Sequence, residues 1–427
     1  MKLSKKAVSA LIIGNALEWY DFVIYSLMTV YILQAFFPNQ SPVNGLLAAT
    51  ATFGVAFLMR PLGAIAFGLY ADKIGRKAAI TAIMFCMFIA MLMIAFAPTY
   101  AQAGIMAPII IVAARLLQGF SAGGEFGPST AMLVELAPTE QRCFYASWQM
   151  VGQNCASLLG SIAGLLLNYF LSAAQIQTWG WRLPFLAGLL IAPVGIYLRL
   201  HVNELRPRED ISRPRQHFID FLLQYRKQLL IGMGLGVGGT AATYLKLYMP
   251  VFMHHYLHLS ISNSFIGLLA GVLPIIVCVP LFGWLADKIG IRKILISSIA
   301  LYLLSIYPLF FMLIHHPSVI TLIGAELLFG VLLGAYFGVY PAVLASLFPA
   351  EIRSTGIAIS SNVVVMLFGG FAQFIVTWLI NATNNLFAIT YYLIFAISIS
   401  LIAAFYYRDS SYFRIQSDSS AISAVIS

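Results

Sequence analysis

Long apolar stretches separated by short polar connections run along the whole chain. A helix needs roughly 20 consecutive apolar residues to cross the hydrocarbon core of a bilayer, and stretches of about that length recur throughout. They predict twelve membrane-spanning helices, numbered here as spans 1 to 12. The predicted spans cover residues 8–36, 45–70, 78–97, 103–136, 144–171, 182–201, 228–253, 264–286, 294–314, 319–347, 354–380 and 386–407.

Composition points to a membrane protein and against a water-soluble fold. The chain is 61% hydrophobic and 9% charged, whereas a soluble domain carries roughly 25% charged residues. Lys2, Lys5 and Lys6 precede the first apolar stretch, as in a signal peptide, but no small-residue cleavage site follows. This stretch is therefore predicted to be an uncleaved first span.

No pattern in the sequence is typical of an enzyme or of a metal or cofactor site. The four cysteines form no CxxC pair and no His/Cys ligand spacing, so neither a zinc site nor a disulfide framework is indicated. A GxGxxG pattern at residues 234–239 lies inside span 7 rather than after a strand, which argues against dinucleotide binding. We expect no catalysis, metal or cofactor, and a proton gradient as the energy source.

The basic residues are distributed unevenly between the two sides of the predicted bundle. Of the 24 Lys and Arg residues, four lie within spans or at an outer edge. The other 20 lie on the side shared by the N-terminus, the even-to-odd connections and the C-terminus. The positive-inside rule therefore places both termini in the cytoplasm. This asymmetry also explains the net charge of +9, so nucleic-acid binding is not expected.

The longest predicted cytoplasmic connection divides the spans six and six. We expect a first half at residues 1–201, a linker at 202–227, a second half at 228–407 and a short cytoplasmic tail at 408–427. The linker is either a tether or an arginine-rich segment that binds the membrane surface.

Two motifs recur at half the chain length. Residues 67–77 reappear as 282–293, with Asp72 and Asp287 separated by 287 − 72 = 215 positions. Residues 138–142 reappear as 349–353, with Arg142 and Arg353 separated by 353 − 142 = 211 positions. Both pairs fall in equivalent connections, which predicts an all-α membrane fold of two parallel six-helix pseudo-repeats. The solute site is then expected between the halves, near the midplane.

The same motifs resemble those of a known superfamily. The sequence GLYADKIGRK at 68–77 looks like the loop 2–3 signature of the major facilitator superfamily, and RLLQG at 115–119 resembles its fourth-helix motif. The finer similarity is to the metabolite–proton symporter family, through GNALEWYDF at 14–22, RPLG at 60–63, QGFSAGGE at 118–125, GWRLPF at 180–185 and FPAEIR at 348–353. Members of that family move proline, betaine, citrate, 2-oxoglutarate, shikimate or similar solutes with protons.

The resemblance implies gates at the predicted cytoplasmic ends of the helices. An Asp there can pair with an Arg or a helix terminus of its neighbour, and a Gly permits a tight turn. A basic loop that only fixes topology is the alternative. The candidate gating residues are Asp72, Gly75, Arg76, Arg142, Asp287, Gly290 and Arg353.

Charged residues at membrane depth are candidates for proton coupling, because each costs about 2.5–3.5 kcal/mol at the bilayer centre on insertion scales. Asp21 is expected to titrate with Arg115 as its cationic partner, since a nearby Arg favours the ionised carboxylate. Purely structural ion pairing is the alternative for Asp21 and Glu18, and helix packing is the alternative for Glu125.

Lys246 is the most informative candidate for contact with a solute. A desolvated Lys needs a counter-ion, and a solute carboxylate could supply it. The alternatives are snorkelling to the interface and pairing with Glu326. The candidate solute-binding residues are Tyr20, Arg60, Gln118, Tyr244, Lys246 and Asn362, although each polar group could instead make only an interhelical hydrogen bond.

Together these features predict a proton-coupled symporter that imports a small organic acid or zwitterion by alternating access. A proton-driven exporter of the same fold and a non-transporting membrane sensor are the alternatives. The expected partners are the solute, the proton and the lipid bilayer, and the protein is expected to be a monomer in the cell (inner) membrane.

Overall fold

A computed structural model describes residues 5–38, 41–74, 76–123, 126–135, 137–189, 218–350 and 352–408. Every regular element within these ranges is a helix. Eight helices of this part of the chain are long and apolar enough to cross a membrane. They are Val43–Phe67, Met106–Glu135, Thr139–Phe170, Ile261–Ile289, Ile291–His315, Val319–Ser346, Arg353–Thr383 and Ala388–Tyr406.

The helices of the first half follow the predicted spans, with interruptions inside some of them. Spans 1 and 2 are each divided, and span 4 is described on either side of residues 124–125. Span 6 follows a 3₁₀ turn at Gly180–Arg182 and is described as far as residue 189. The helices of spans 1 to 5 are Lys5–Leu27 and Thr29–Phe36, Pro42–Leu58 and Arg60–Ile74, Arg76–Ala95, Met106–Ala122 and Phe126–Glu135, and Arg142–Phe170.

The helices of the second half are longer and less interrupted. Span 11 alone is divided within this half, by a π-helical turn at Val365–Gly370. The helices of spans 7 to 12 are Arg226–His255, Ile261–Ile289, Ile291–His315, Val319–Ser346, Arg353–Val364 with Ala372–Thr383, and Ala388–Tyr406. A short helix that the sequence did not predict, Phe218–Gln224, lies inside the proposed linker.

Local sequence explains where several helices begin and end. Ser260 and Ser318 cap spans 8 and 10, each accepting a hydrogen bond from a backbone N–H three residues on. Gly290 separates span 8 from span 9 with φ of 103°, a backbone conformation that is costly for residues with a Cβ. This glycine allows the tight turn that the sequence predicted.

Polarity is arranged inside out relative to a water-soluble protein. Large apolar side chains such as Leu304 and Ile320 are 72% and 83% exposed on the outer faces of their helices. Polar side chains such as Arg115, Gln118 and Gln373 are fully buried. Because water would penalise such an exposed apolar surface, lipid is the solvent that fits the outside of the bundle.

Spans 5 and 8 pack against each other at both ends and so join the two halves. At the end that carries the Lys- and Arg-rich connections, called the basic end here, a Cβ on Gly283 would lie 3.0 Å from the Cys143 carbonyl oxygen. Toward the opposite end, a Cβ on Gly164 would lie 2.5 Å from the ring of Phe265. Glycine lets helices approach this closely, and the halves are in contact at both ends.

Candidate solute and proton site

Arg115 of span 4 lies at the centre of the first half and is fully buried. Its Nη1 donates to Gln118 Oε1 at 2.7 Å, and its Nη2 donates to the Phe53 carbonyl oxygen at 3.0 Å. The guanidinium also lies 4.3 Å from the centroid of the Tyr25 ring, within range of a cation–π interaction. Neutral partners thus hold this cation in place without removing its charge.

Asp21 and Arg60 complete the charged group around Arg115. Asp21 of span 1 is 8% exposed and attracts Arg115 electrostatically. Arg60 of span 2 donates to the Ala122 carbonyl oxygen at 3.2 Å and lies 5.7 Å from the centroid of the Phe57 ring. Spans 1, 2 and 4 therefore bring one carboxylate and two guanidinium groups into the same buried region.

Tyr244 of span 7 closes this region from the second half. Its ring centroid lies 5.2 Å from that of Phe57, 5.9 Å from that of Phe53 and 6.3 Å from that of Trp19. Gln373 of span 11 donates to Ser26 Oγ at 2.6 Å. The charged region thus lies against the boundary between the halves.

Lys246 lies two residues beyond Tyr244 and also reaches the first half. Its Nζ donates to Asn154 Oδ1 of span 5 at 2.8 Å, and Lys246 is 8% exposed. Snorkelling toward the interface is therefore excluded for this arrangement. Lys246 also lines a cavity together with Glu326 of span 10 and attracts its carboxylate electrostatically, but the two described side chains form no ion pair shorter than 4.0 Å.

Two contacts join the halves at the basic end. Arg353 Nη1 lies 2.9 Å from Glu135 Oε1, and Arg353 Nε donates to the Ala345 carbonyl oxygen at 3.0 Å. The Asp287 carboxylate accepts hydrogen bonds from the backbone N–H groups of Cys143 at 2.9 Å and Phe144 at 3.0 Å. Asp287 therefore caps the first turn of span 5 from the opposite half.

Comparison with known proteins gives the family. The family model described as "Major Facilitator Superfamily" matches residues 11–359 and, in a second match, 239–421. The chain belongs to the major facilitator superfamily. It is therefore a multi-pass membrane protein that transports solutes, and it is not an enzyme, as the sequence predicted.

Curated relatives of this superfamily member cover nearly all of the chain. The glycine betaine/proline/ectoine/pipecolic acid transporter OusA of Dickeya dadantii is 31% identical, over 95% of this chain and 84% of its own length. The citrate-proton symporter of Klebsiella pneumoniae is 35% identical, over 93% of this chain and 90% of its own length. Both relatives carry small organic solutes, according to their names.

Solved structures of the superfamily share the fold. The crystal structure of a D-xylose-proton symporter superposes with a TM-score of 0.75 at 18% identity, covering 96% of this chain and 98% of that chain. The partially occluded inward-open form of the xylose transporter XylE from E. coli gives a TM-score of 0.75 at 17% identity, covering 94% of this chain and 96% of that chain. These likenesses confirm the predicted twelve-helix architecture.

The structure of this superfamily member does not bring all the candidate solute residues together. Tyr20 donates its hydroxyl to the Pro184 carbonyl oxygen at 3.0 Å, inside the first half. Asn362 donates to the Gly123 carbonyl oxygen at 2.8 Å, across the boundary between the halves. Gln118, Arg60 and Tyr244 do gather around Arg115. The described part of the structure does not include the side chains of Glu18, Asp72 and Arg76. It includes no part of Gly75 and Glu125.

Among the gating candidates, Arg142 is 8% exposed at the start of span 5 and lies close enough to Arg353 for the two cations to repel each other. Two partners lie outside the candidate sets given above, although the sequence suggested Glu135 as a partner for an arginine of a connection and Asn154 as a polar group within a span. Asn154 holds Lys246, and Glu135 holds Arg353. Both are polar groups near or within apolar spans, which marked them as buried or interfacial, but their partners are distant in sequence.

Proposed function

We propose that this transporter couples proton movement to the import of a small organic acid or zwitterion by alternating access. It would reside in the cell (inner) membrane with both termini in the cytoplasm. One observation carries the proposal. Away from the basic end, the buried charged side chains of the described residues are three cations and two carboxylates, namely Arg60, Arg115, Lys246, Asp21 and Glu326.

The charge balance favours a solute that carries a carboxylate. A buried ion without a partner costs several kcal/mol after relaxation, so the excess of cations among these described residues is relieved when an anionic group enters. The residues around Arg115 provide neutral hydrogen-bond partners, which a solute carboxylate can replace. The names of the relatives agree with this chemistry, because citrate, proline and glycine betaine all carry carboxylates.

Asp21 is the proposed coupling group of the first half. Its attraction to Arg115 favours the ionised carboxylate, and loss of that attraction favours proton uptake. When a solute carboxylate engages Arg115, the guanidinium charge is shared between two anions. Asp21 then binds a proton more readily, so solute and proton enter the site together.

Transport by purified protein in proteoliposomes tests this proposal. An imposed gradient, acidic outside, should drive uptake of at least one of radiolabelled proline, glycine betaine, citrate, 2-oxoglutarate and shikimate. Asp21→Asn should abolish the proton-driven accumulation and keep solute counterflow, which needs no net proton movement. The matched control is Asp220→Asn, the same chemical change at an exposed position, and it should behave like the wild type.

Three outcomes would contradict the proposal. Absence of uptake and counterflow across all five solutes would remove the support for symport of this class. Efflux driven by the same gradient would identify an exporter. Full proton-driven accumulation by Asp21→Asn would exclude Asp21 as the coupling group.

A further inference from the structure

A small cavity lies inside the second half, apart from the charged region around Arg115. It is lined by residues of spans 7, 8, 9, 10 and 12 and offers about 20 Å³ to the centres of water molecules. Its polar groups are Lys246, Tyr302 and Glu326, and the other lining residues are apolar or glycine. Water fits in this space.

Glu326 faces this cavity and is 3% exposed. Within the described chain its carboxylate makes no hydrogen bond and no ion pair shorter than 4.0 Å. It packs against Gly271 of span 8, where a Cβ would collide with Oε2. A glycine on the neighbouring helix therefore makes room for a carboxyl group that no fixed donor neutralises.

The charged and titratable groups around Glu326 are few. Lys246 on span 7 attracts its carboxylate, and Tyr302 on span 9 interacts with it electrostatically. Span 8 presents Gly271 and Ile275 to the cavity, and span 12 presents Leu393. Lys246 is thus the only cation, within the described residues that line the cavity, that can balance a charge on Glu326.

In this arrangement the Lys246 ammonium is hydrogen-bonded to a residue other than Glu326. It donates to Asn154, which belongs to the first half of the transporter. The halves move relative to each other in alternating access, so a bond between spans 5 and 7 depends on the conformational state. When that bond breaks, the flexible lysine side chain loses its acceptor, and Glu326 lines the same cavity as Lys246.

We propose that Glu326 is a second proton-binding site, whose protonation alternates with the position of Lys246. In the closed arrangement Lys246 is held by Asn154 and Glu326 carries a proton. When the halves part, Lys246 keeps its charge and turns to Glu326, and the proton leaves the carboxyl oxygen for water that enters between the halves and carries it to the solution. This role rests on the proposed proton-coupled function and adds a proton step in the second half.

This alternation between protonation of Glu326 and its pairing with Lys246 avoids an ionised carboxylate without a partner in a low-dielectric interior. An ionised carboxylate without a partner is strongly disfavoured there, so the group neutralises itself by binding a proton. A carboxylate next to an ammonium is stabilised by it. Protonation of Glu326 and its pairing with Lys246 are therefore alternatives, and the Asn154 contact selects between them.

Difference infrared spectroscopy without solute tests the proposal directly. At neutral pH, the wild type in lipid should show a C=O stretching band of a buried protonated carboxyl group. Glu326→Gln should lose this band, and Asp21→Asn should keep it. Identical spectra for the wild type and Glu326→Gln would show that Glu326 carries no proton and would overturn the proposal.

A second variant leaves the carboxyl group in place. Asn154→Ala removes the acceptor that holds Lys246, so the lysine should pair with Glu326 and the band should lose most of its intensity at the same pH. The matched control is Asn168→Ala, on the same helix. The side-chain amide of Asn168 donates a hydrogen bond to the Tyr31 hydroxyl, within the first half. An unchanged band in Asn154→Ala, or equal loss in both variants, would refute the coupling to Lys246.

Transport separates failure of this inference from failure of the proposed function. With proline or citrate as the probe, whichever the proteoliposomes accumulate, Glu326→Gln should lower the number of protons moved per solute and retain counterflow. If Asp21→Asn abolishes proton drive while Glu326→Gln has the wild-type ratio, the second site is excluded and symport stands. If no solute is accumulated, symport fails and the infrared result still decides the state of Glu326.

Discussion

Replacing Asp287 by asparagine should open the basic end of the transporter. The Asp287 carboxylate accepts two backbone N–H groups at the start of span 5, at 2.9 and 3.0 Å. These contacts exist only while the halves are closed at this end. Asparagine is nearly the same size as aspartate, but it has one acceptor oxygen and no charge, so the closed form loses stabilisation.

The size of the effect follows from the two hydrogen bonds. A hydrogen bond to a charged group contributes about 1.5–3 kcal/mol, and a neutral one about 0.5–1.5 kcal/mol. A carboxylate at a helix N-terminus gains about 0.3–2 kcal/mol from the helix dipole. Since Asp287 is half-buried, we expect a loss of about 1–2 kcal/mol. At 1.4 kcal/mol per tenfold change, the open population should rise about 5- to 30-fold.

Cys143 is a built-in reporter of this opening. It is 1% exposed, and its own backbone N–H is one of the two donors to Asp287. In a variant that keeps Cys143 as its sole cysteine, a maleimide can reach the thiol only when the halves separate at the basic end. The rate of labelling should then follow the open population and rise about 5- to 30-fold in Asp287→Asn.

Two comparisons decide whether the capping contact is responsible. Asp220→Asn makes the same chemical change on the exposed face of the Phe218–Gln224 helix and should leave the labelling rate unchanged. The reasoning is refuted if Asp287→Asn labels at the wild-type rate, or if Asp220→Asn accelerates labelling to the same extent.

Three further substitutions probe other contacts. Glu135→Gln weakens an ion pair whose carboxylate is 40% exposed and is therefore screened by solvent. It should raise the rate of Cys143 labelling by under about tenfold, less than Asp287→Asn does. A larger rise would contradict the argument that solvent weakens this ion pair. Gly164→Val forces a side chain into the ring of Phe265 and should cost the closed form about 1–3 kcal/mol, opening the opposite end and slowing that labelling; faster labelling would contradict it. Gly290→Ala, at φ of 103°, should cost about 1–3 kcal/mol and lower the temperature of thermal unfolding, whereas Gly324→Ala, with open space around it, should not; equal shifts would exclude backbone strain.

The sequence alone determined the membrane architecture of this protein. A bilayer leaves few options for an apolar segment, because its backbone must satisfy its own hydrogen bonds inside hydrocarbon. Span number and the equivalence of the two halves therefore followed from hydropathy and from the repeats around Asp72 and Asp287. Interruptions such as the π-helical turn at Val365–Gly370 were not visible, since they depend on packing against neighbouring helices.

The sequence also identified which charges lie at membrane depth, because an ion in an apolar span is costly wherever it points. Only the tertiary structure decided their partners. Lys246 meets Asn154 across 92 positions, and Arg353 meets Glu135 across 218 positions. Such pairings depend on how helices from different halves cross, to within the few ångströms over which a hydrogen bond forms. Local sequence composition does not determine how these helices cross, so the contacts between the halves could be identified only in the folded chain.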